Sequence, residues 1–248
     1  MLRGKNVILT GATRGIGNVI LQLFAQNHAN LWCLVRRPDE RFLDQAEALE
    51  SAHGIRIRAV TADMEHAESI REALHQIFAE KRPIDILIND ASVNAHGSFL
   101  TTSRSELDRL FQVNCLSQLQ IIQMVSRKMI LQKGGVIINI TSASGFEHNV
   151  GNFAYAGTKA LMNWATQTIS RELAPYHIRV NAVAPGVTDT DMNRAYEAEI
   201  AENVMPSMNI QRKAEPMEIA EGVLFLASER ASFVSGQILR IDGGRFRG

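Results

Sequence analysis

Tyr155 and Lys159 stand four residues apart in the run Tyr155-Ala-Gly-Thr-Lys159. On a helix this spacing puts both side chains on one face, a turn apart, so an ammonium can sit beside a phenol. The pair alone also fits a solvated lysine next to a half-buried tyrosine, so what precedes it has to decide. Ser142 and Asn114 lie upstream. An interior Asn costs helix stability, which leaves room for a specific role at Asn114, although a helix-interior polar residue needs none.

The elements that would position these residues alternate between strand and helix. Residues 7–10 are a short apolar run of the kind buried on both faces of a sheet, and Gly11-Ala-Thr-Arg-Gly15-Ile-Gly17 follows, ahead of a helical pattern through Phe24. Glycines there allow a sharp turn and a close approach of the backbone to a diphosphate, which the free N–H groups of a helix start favour. Such turns also join strands to helices without any ligand, and G-x-x-x-G-x-G has a longer first gap than the commonest dinucleotide fingerprint. A second strand, Asn30–Val35, runs into Arg36-Arg37, where an NAD site would usually place an acid. An acid repels a ribose 2′-phosphate and a guanidinium binds it, so Arg36, with Arg14 in the glycine loop, predicts NADP(H). Arg37, and to a lesser degree Arg36, also reads as a solvated loop charge before Pro38.

Helical patterns over 40–53 and 66–81 flank an alternating strand at 55–61. Asp63, just beyond that strand, could accept from an adenine amino group or cap the next helix. Residues 83–89 form a fourth buried strand leading into Asp90-Ala-Ser92, and 103–133 are helical throughout, closed by Gly134-Gly135. A fifth strand at 136–141 delivers Ser142 at its C-terminal end, the edge where open parallel sheets bind ligands. A helix from about 152 to 175 carries Tyr155 and Lys159. A sixth strand at 178–184 is broken by Pro185-Gly186, a helix spans 216–228, and a last strand covers 237–241. Residues 188–215 are polar and Met-bearing with a weak helical pattern, which reads as a mobile lid or as a packed helix pair.

These 248 residues, 46% hydrophobic, suffice for one full core, and no repeat or low-complexity linker divides them. The expectation is a single α/β domain over residues 1–248: a Rossmann-type doubly wound parallel sheet of about seven strands with helices on both faces. Residues 1–100 would serve mainly the cofactor, and 101–248 would carry the catalytic residues. Lys+Arg and Asp+Glu both number 26, so charge points to neither nucleic acid nor an anionic membrane. Cys33 and Cys115 show neither metal-ligand spacing nor a disulfide pattern, so no metal is expected and a reducing cytoplasm fits. No signal peptide or membrane span is apparent.

With these residues placed, the chain resembles the short-chain dehydrogenase/reductase family from end to end. The resemblance rests on Thr10-Gly-Ala-Thr-Arg-Gly-Ile-Gly17, Asp63, Asn89-Asp-Ala-Ser92, Asn114, Ser142, Tyr155 with Lys159, Pro185-Gly186 with Thr190, and Asp242-Gly-Gly244. Within the family it is most similar to the 3-oxoacyl-(acyl carrier protein) reductases, through Val180-Asn-Ala-Val-Ala-Pro-Gly186, Thr190-Asp-Met192 and the stretch from Ser235 to Gly244. The resemblance implies that Tyr155 donates a proton to a substrate carbonyl while a nicotinamide delivers hydride to its carbon. Lowering a phenol by about three pKa units takes roughly 4 kcal/mol, which Lys159 and the oxidised nicotinamide would supply. Lys159 would also hold the nicotinamide ribose, Ser142 the carbonyl oxygen, and Asn114 a water connecting Lys159 to solvent.

The cofactor contacts implied are Gly11, Thr13, Arg14, Gly15, Ile16, Gly17, Arg36, Asp63, Met64, Asn89, Ala91, Tyr155, Lys159, Pro185, Gly186, Thr188 and Thr190. Ser142, Ser144, Asn149 and Tyr155 would meet the substrate, with Phe146, His148 and Phe153 shaping its pocket. The substrate would be a 3-oxoacyl thioester, on acyl carrier protein or coenzyme A, or another small carbonyl or sugar; the remaining alternative is a non-catalytic protein that keeps the fold and binds nucleotide to regulate a partner. An acidic carrier protein would meet Lys133 and Arg171 near the cleft mouth. A homotetramer or homodimer would form through helices 103–133 and 152–175 and the last strand. One departure stands out: the family usually has Asn-Asn-Ala-Gly where this chain has Asn89-Asp-Ala-Ser92, which places an acid and an extra side chain at the cofactor wall.

Overall fold

The structure, a computed structural model of the chain, describes residues 1–194, 197 and 200–245. Its strands are β1 (Asn6–Thr10), β2 (Asn30–Val35), β3 (Ile57–Thr61), β4 (Ile86–Asn89), β5 (Gly135–Ile140), β6 (Ile178–Pro185) and β7 (Ile238–Ile241). They pair in parallel in the order β3-β2-β1-β4-β5-β6-β7. The helices are α1 (Gly15–Gln26), α2 (Glu40–His53), α3 (Ala67–Ala79), α4 (Arg104–Phe111), α5 (Ser117–Leu131), α6 (Phe153–Leu173), the single turn α7 (Asp191–Arg194) and α8 (Pro216–Ala227). The direction of strand order reverses between β1 and β4, which opens a crevice at the carboxyl ends of the strands.

Alternate side chains of each strand feed two apolar layers, as a sheet buried on both faces requires. Val7 and Leu9 of β1, with Leu31, Cys33 and Val35 of β2, pack with α1, α2 and α8. Ile8, Trp32 and Leu34 point the other way, to α3, α5 and α6. Cys33 and Cys115 are buried, unpaired thiols. Among the described residues, no helix is long and apolar enough to cross a membrane.

The segment expected to be helical over 103–133 is helical but not regular. Gln112–Leu116 form a π turn that joins α4 to α5, and Asn114 sits in its middle. Such turns displace side chains from an α-helical register, so they turn a helix face toward a site. The close of this helix also differs from expectation: the left-handed residue is Lys133 (φ 62°), and Gly135 already belongs to β5. Gly135 answers a packing need, since a Cβ there would fall 2.4 Å from the Met129 sulfur. Strands β3 and β4 begin later than their apolar runs, at Ile57 and Ile86. In 188–215, Thr188 bridges Ala214, and helical turns at Asp191–Arg194, Ile200–Val204 and Met205–Ser207 lie between them. Residues 195, 196, 198 and 199 of the expected lid lie outside the described residues.

Candidate active site

A cavity of about 650 Å³ follows the carboxyl edge of the sheet and is lined by the segments that leave β1 to β6. Its first wall is the glycine loop. Gly11 has φ +79°, and a Cβ there would fall 2.9 Å from both the Ala91 nitrogen and Asp90 Oδ2; a Cβ on Gly17 would fall 2.2 Å from the Gly11 oxygen. Only glycine lets β1, α1 and the segment after β4 approach this closely. That segment is clamped from three sides. Thr10 Oγ1 accepts from the backbone nitrogens of Asp90 (2.9 Å) and Ala91 (3.0 Å), and Gln118 Nε2 donates to the Ala91 oxygen (2.9 Å). Asn114 pairs with Val93 as a neighbouring strand would, accepting from its nitrogen and donating to its oxygen, both at 2.9 Å.

The opposite wall is β5 and α6. Ser142 follows β5, and its hydroxyl accepts from the Ser144 nitrogen at 3.1 Å while also hydrogen-bonding Tyr155. Gly145 lets this turn rest on α6, since a Cβ there would meet the Lys159 carbonyl carbon and the Ala160 nitrogen at 2.9 Å. Lys159 is 2% exposed, donates to the Ile140 oxygen at 3.0 Å, and stands 5.5 Å from the Tyr155 ring centre. Thr158 ties the π turn to this helix. Its hydroxyl accepts from Asn114 (3.1 Å) and donates to the Tyr155 oxygen (2.7 Å), and the Cys115 thiol donates to the Thr158 oxygen.

Burial dominates the electrostatics. It pushes the Tyr155 phenol up to about 12; the Ser142 hydrogen bond works against this and the Asp90 charge adds to it. The lowering of Tyr155 expected from Lys159 is not found: burial dominates, and Lys159 is not among the groups that move the phenol. Lys159 is brought down to about 8 by burial, against the pull of Asp90 and Cys115. Asp90 is raised to about 7, again by burial, while Lys159 and the Gly17 N–H favour its ionised form.

Most residues singled out from sequence line this one cavity: Gly11, Thr13, Arg14, Gly15, Ile16, Arg36, Asp63, Met64, Ala91, Pro185, Gly186, Thr188 and Thr190 on the glycine-loop side, and Ser142, Ser144, Asn149, Tyr155 and Lys159 opposite. Gly17, Asn89 and Asn114 stand behind the lining. Asn89 donates to Asn139 Oδ1 at 2.9 Å. Asn114 is fully buried and its amide is engaged with Val93 and Thr158, so its side chain positions the walls and does not itself face the cavity. Asp63 does not cap α3, whose N-cap is His66; it accepts from the Glu65 nitrogen at 3.0 Å beside the cavity. Ser92 adds its side chain to the wall, as its departure from glycine predicts.

Lys133 and Arg171 are not at the mouth. Lys133 precedes β5, about 20 Å from its ligand-binding end, and Arg171 lies about 18 Å along α6 from Lys159. The cations that line the cavity are Arg14, Arg36, Arg109, Lys159 and Arg245. Sequence reasoning missed Arg109, Arg245, Asn94, His96, Asn152 and Asn203. Arg245 arrives from beyond the last strand, where no periodicity marks it; its Nη1 pairs with Glu147 Oε2 at 3.1 Å, and Asn149 donates to the same oxygen at 2.7 Å. Asn152, 6% exposed just ahead of α6, was detectable as a polar residue at a helix start.

This donor set fits a nicotinamide dinucleotide. The glycine loop and the N-terminus of α1 can take a diphosphate, Arg36 and Arg14 a ribose phosphate, and Lys159 with Tyr155 the second ribose. Among the described residues no group of three His, Cys, Asp or Glu could hold a metal ion.

A family model described as enoyl-(acyl carrier protein) reductase matches residues 11–245. A 3-oxoacyl-(acyl carrier protein) reductase of Aquifex aeolicus is 36% identical over 99% of this chain and 98% of its own. A 3alpha-hydroxysteroid dehydrogenase of Mediterraneibacter gnavus is 32% identical over 98% and 97%. A short chain dehydrogenase from Burkholderia cenocepacia, solved in complex with NADP, superposes with a TM-score of 0.89 at 28% identity, covering 98% of both chains. The chain with this Tyr155–Lys159 cleft belongs to the short-chain dehydrogenase/reductase family of oxidoreductases.

Proposed function

We propose that this protein is an NADPH-dependent reductase that converts the ketone of a 3-oxoacyl thioester, carried on acyl carrier protein or coenzyme A, to the 3-hydroxyacyl thioester. The observation that carries it is the joint presence in one cavity of Ser142, Tyr155 and Lys159 with Arg36, on a chain 36% identical over its length to a 3-oxoacyl-(acyl carrier protein) reductase. A nicotinamide, when bound, would supply hydride to the carbonyl carbon. Tyr155 passes its proton to the carbonyl oxygen, and Ser142 holds that oxygen during the transfer. The raised Tyr155 suits this direction: a phenol near 12 stays protonated at neutral pH and is still a far stronger acid than the alcohol formed when the alkoxide takes its proton. Lys159 then returns a proton toward Tyr155, and with an affinity for its own proton near 8 it can exchange with solvent under neutral conditions. Asn114 serves this step indirectly, by holding the Tyr155 turn of α6 against the wall after β4.

The balanced charge and the buried, unpaired thiols support a cytoplasmic location. Exposed Leu116, Phe153 and Trp164 on the π turn and α6, with Phe225, Phe233 and Leu239 near the C-terminus, support assembly as a homotetramer or homodimer. The 32% identity to a hydroxysteroid dehydrogenase, together with the polar residues Asn94, His96, Asn149 and Asn203 in the cavity lining, favours a second reading, an NADP-dependent dehydrogenase of another small carbonyl. The test is NADPH oxidation with acetoacetyl thioesters beside a panel of other ketones. Turnover confined to non-thioester ketones would select the second reading.

A further inference from the structure

Asp90 is the residue for which the chemistry described so far has no use. It closes β4 at the point where strand order reverses, and its carboxylate is pressed against the glycine loop. Its Oδ2 lies where a Cβ on Gly17 would come within 2.5 Å and one on Gly11 within 2.9 Å, and it accepts from the Gly17 N–H inside the first turn of α1. The carboxylate thus occupies the positive end of the helix that a cofactor diphosphate would use. Two anions cannot share that end without cost. One can leave only by not binding; the other can become neutral by taking up a proton.

We propose that Asp90 is a positioning residue that makes cofactor binding proton-linked, taking up a proton when a dinucleotide diphosphate occupies the glycine loop and releasing it when the loop empties. This rests on the reading of the cleft as a dinucleotide site. The groups that face Asp90 agree with it. From α6, Lys159 attracts its charge and Tyr155 is disfavoured as a phenolate by it; Cys115, on the π turn, acts on Lys159 from behind. Around the same cavity stand Arg14 of the glycine loop, Arg36 after β2, Asp63 and Glu65 after β3, Arg109 on α4 and Arg245. Arg109 is paired with Glu65 at 2.8 Å and Arg245 with Glu147 at 3.1 Å. With a free-enzyme midpoint near 7, Asp90 is poised to change state at physiological pH, and a second anion at the α1 terminus moves that midpoint upward. The proton it takes up comes from solvent, and no bond other than O–H is formed or broken.

The experiment is calorimetric titration of the full chain with NADPH and with NADP+ between pH 7 and 9, in two buffers of different ionisation enthalpy, for the parent and for Asp90→Asn and Asp90→Ser. The parent should take up close to one proton per site at pH 8, and its NADPH affinity should fall by up to about tenfold per pH unit above 7. Asp90→Asn should take up almost none and bind with an affinity nearly independent of pH. Asp90→Ser gives the same readout if the amide variant does not fold. Parent uptake near zero, or equal uptake in parent and variants with tight binding retained, overturns the role of Asp90 and leaves the dinucleotide site standing. Absence of binding of either nucleotide at every pH overturns both.

Discussion

Gly145 is the point where a single methyl group should separate cofactor binding from catalysis. In Gly145→Ala the new Cβ falls 2.9 Å from the Lys159 carbonyl carbon and the Ala160 nitrogen and 2.8 Å from Asn163 Nδ2, while ordinary contact begins at 3.4 Å. The two backbone atoms belong to the interior of α6 and cannot yield, so the turn from Ser142 to Phe146 must retreat by about 0.5 Å. The Gly145 nitrogen donates to the Ser142 oxygen at 3.0 Å, so the retreat is passed to the residue that holds Tyr155. A misplacement of 1 Å can cost about 100-fold, so half of it costs about tenfold in kcat, or roughly 1.4 kcal/mol. Overpacking adds about 1–3 kcal/mol of lost stability, a fall in Tm of about 2–12 °C. Steady-state kinetics, NADPH titration and thermal melts together measure this. NADPH affinity should stay within about threefold of the parent, because the glycine loop lies across the cleft. An unchanged kcat, or a loss of NADPH binding equal to the loss in kcat, would refute the idea that this turn meters the Ser142–Tyr155 contact.

Tyr155→Phe should lower kcat/KM by about 100- to 10,000-fold and weaken NADPH by no more than about tenfold, the loss of one ribose contact, which kinetics and titration check together. Arg36→Ala should weaken NADPH by about 10- to 100-fold and NADH hardly at all; an equal loss for both nucleotides would show that Arg36 does not meet a 2′-phosphate. Asp90→Asn should stabilise the fold in a pH-dependent way. The folded chain holds the Asp90 proton more tightly than the unfolded chain, so the parent loses stability as pH rises from the ordinary carboxylate range through about 7. The difference in Tm should be small near pH 4 and largest above pH 7. There it corresponds to up to about 4 kcal/mol, a figure that already contains the attraction of Lys159 for the charge.

Where the sequence is locally periodic, the fold was legible in it. The strands are apolar runs because both faces of the sheet are covered, and glycine and proline mark their ends. The departures come from tertiary forces that no local pattern encodes. The π turn at Asn114 exists because that side chain pairs with the main chain of Val93 and with Thr158, both far away in sequence. Lys133 takes the left-handed position at the helix end, while Gly135 is taken up by close packing against Met129. Of the site, the glycine loop and the Ser142, Tyr155 and Lys159 set could be read from residue type and spacing. Arg245 and Asn94 could not, since they reach the cavity through loops. Asp90 was visible as an odd residue, but its meaning depends on burial beneath Gly17.

The two cysteines have a use in the laboratory. Burial raises the Cys33 thiol to about 12 and the Cys115 thiol to about 11, the latter against the pull of Lys159. Enclosed and protonated, each can meet an alkylating reagent only while its surroundings are open, so its labelling rate counts opening events. Cys33, in the middle of β2, reports rupture of the sheet, while Cys115, bound to Thr158, reports the parting of the π turn from α6. The chain therefore carries one clock for global unfolding and another for the contact between the π turn and α6 behind Tyr155.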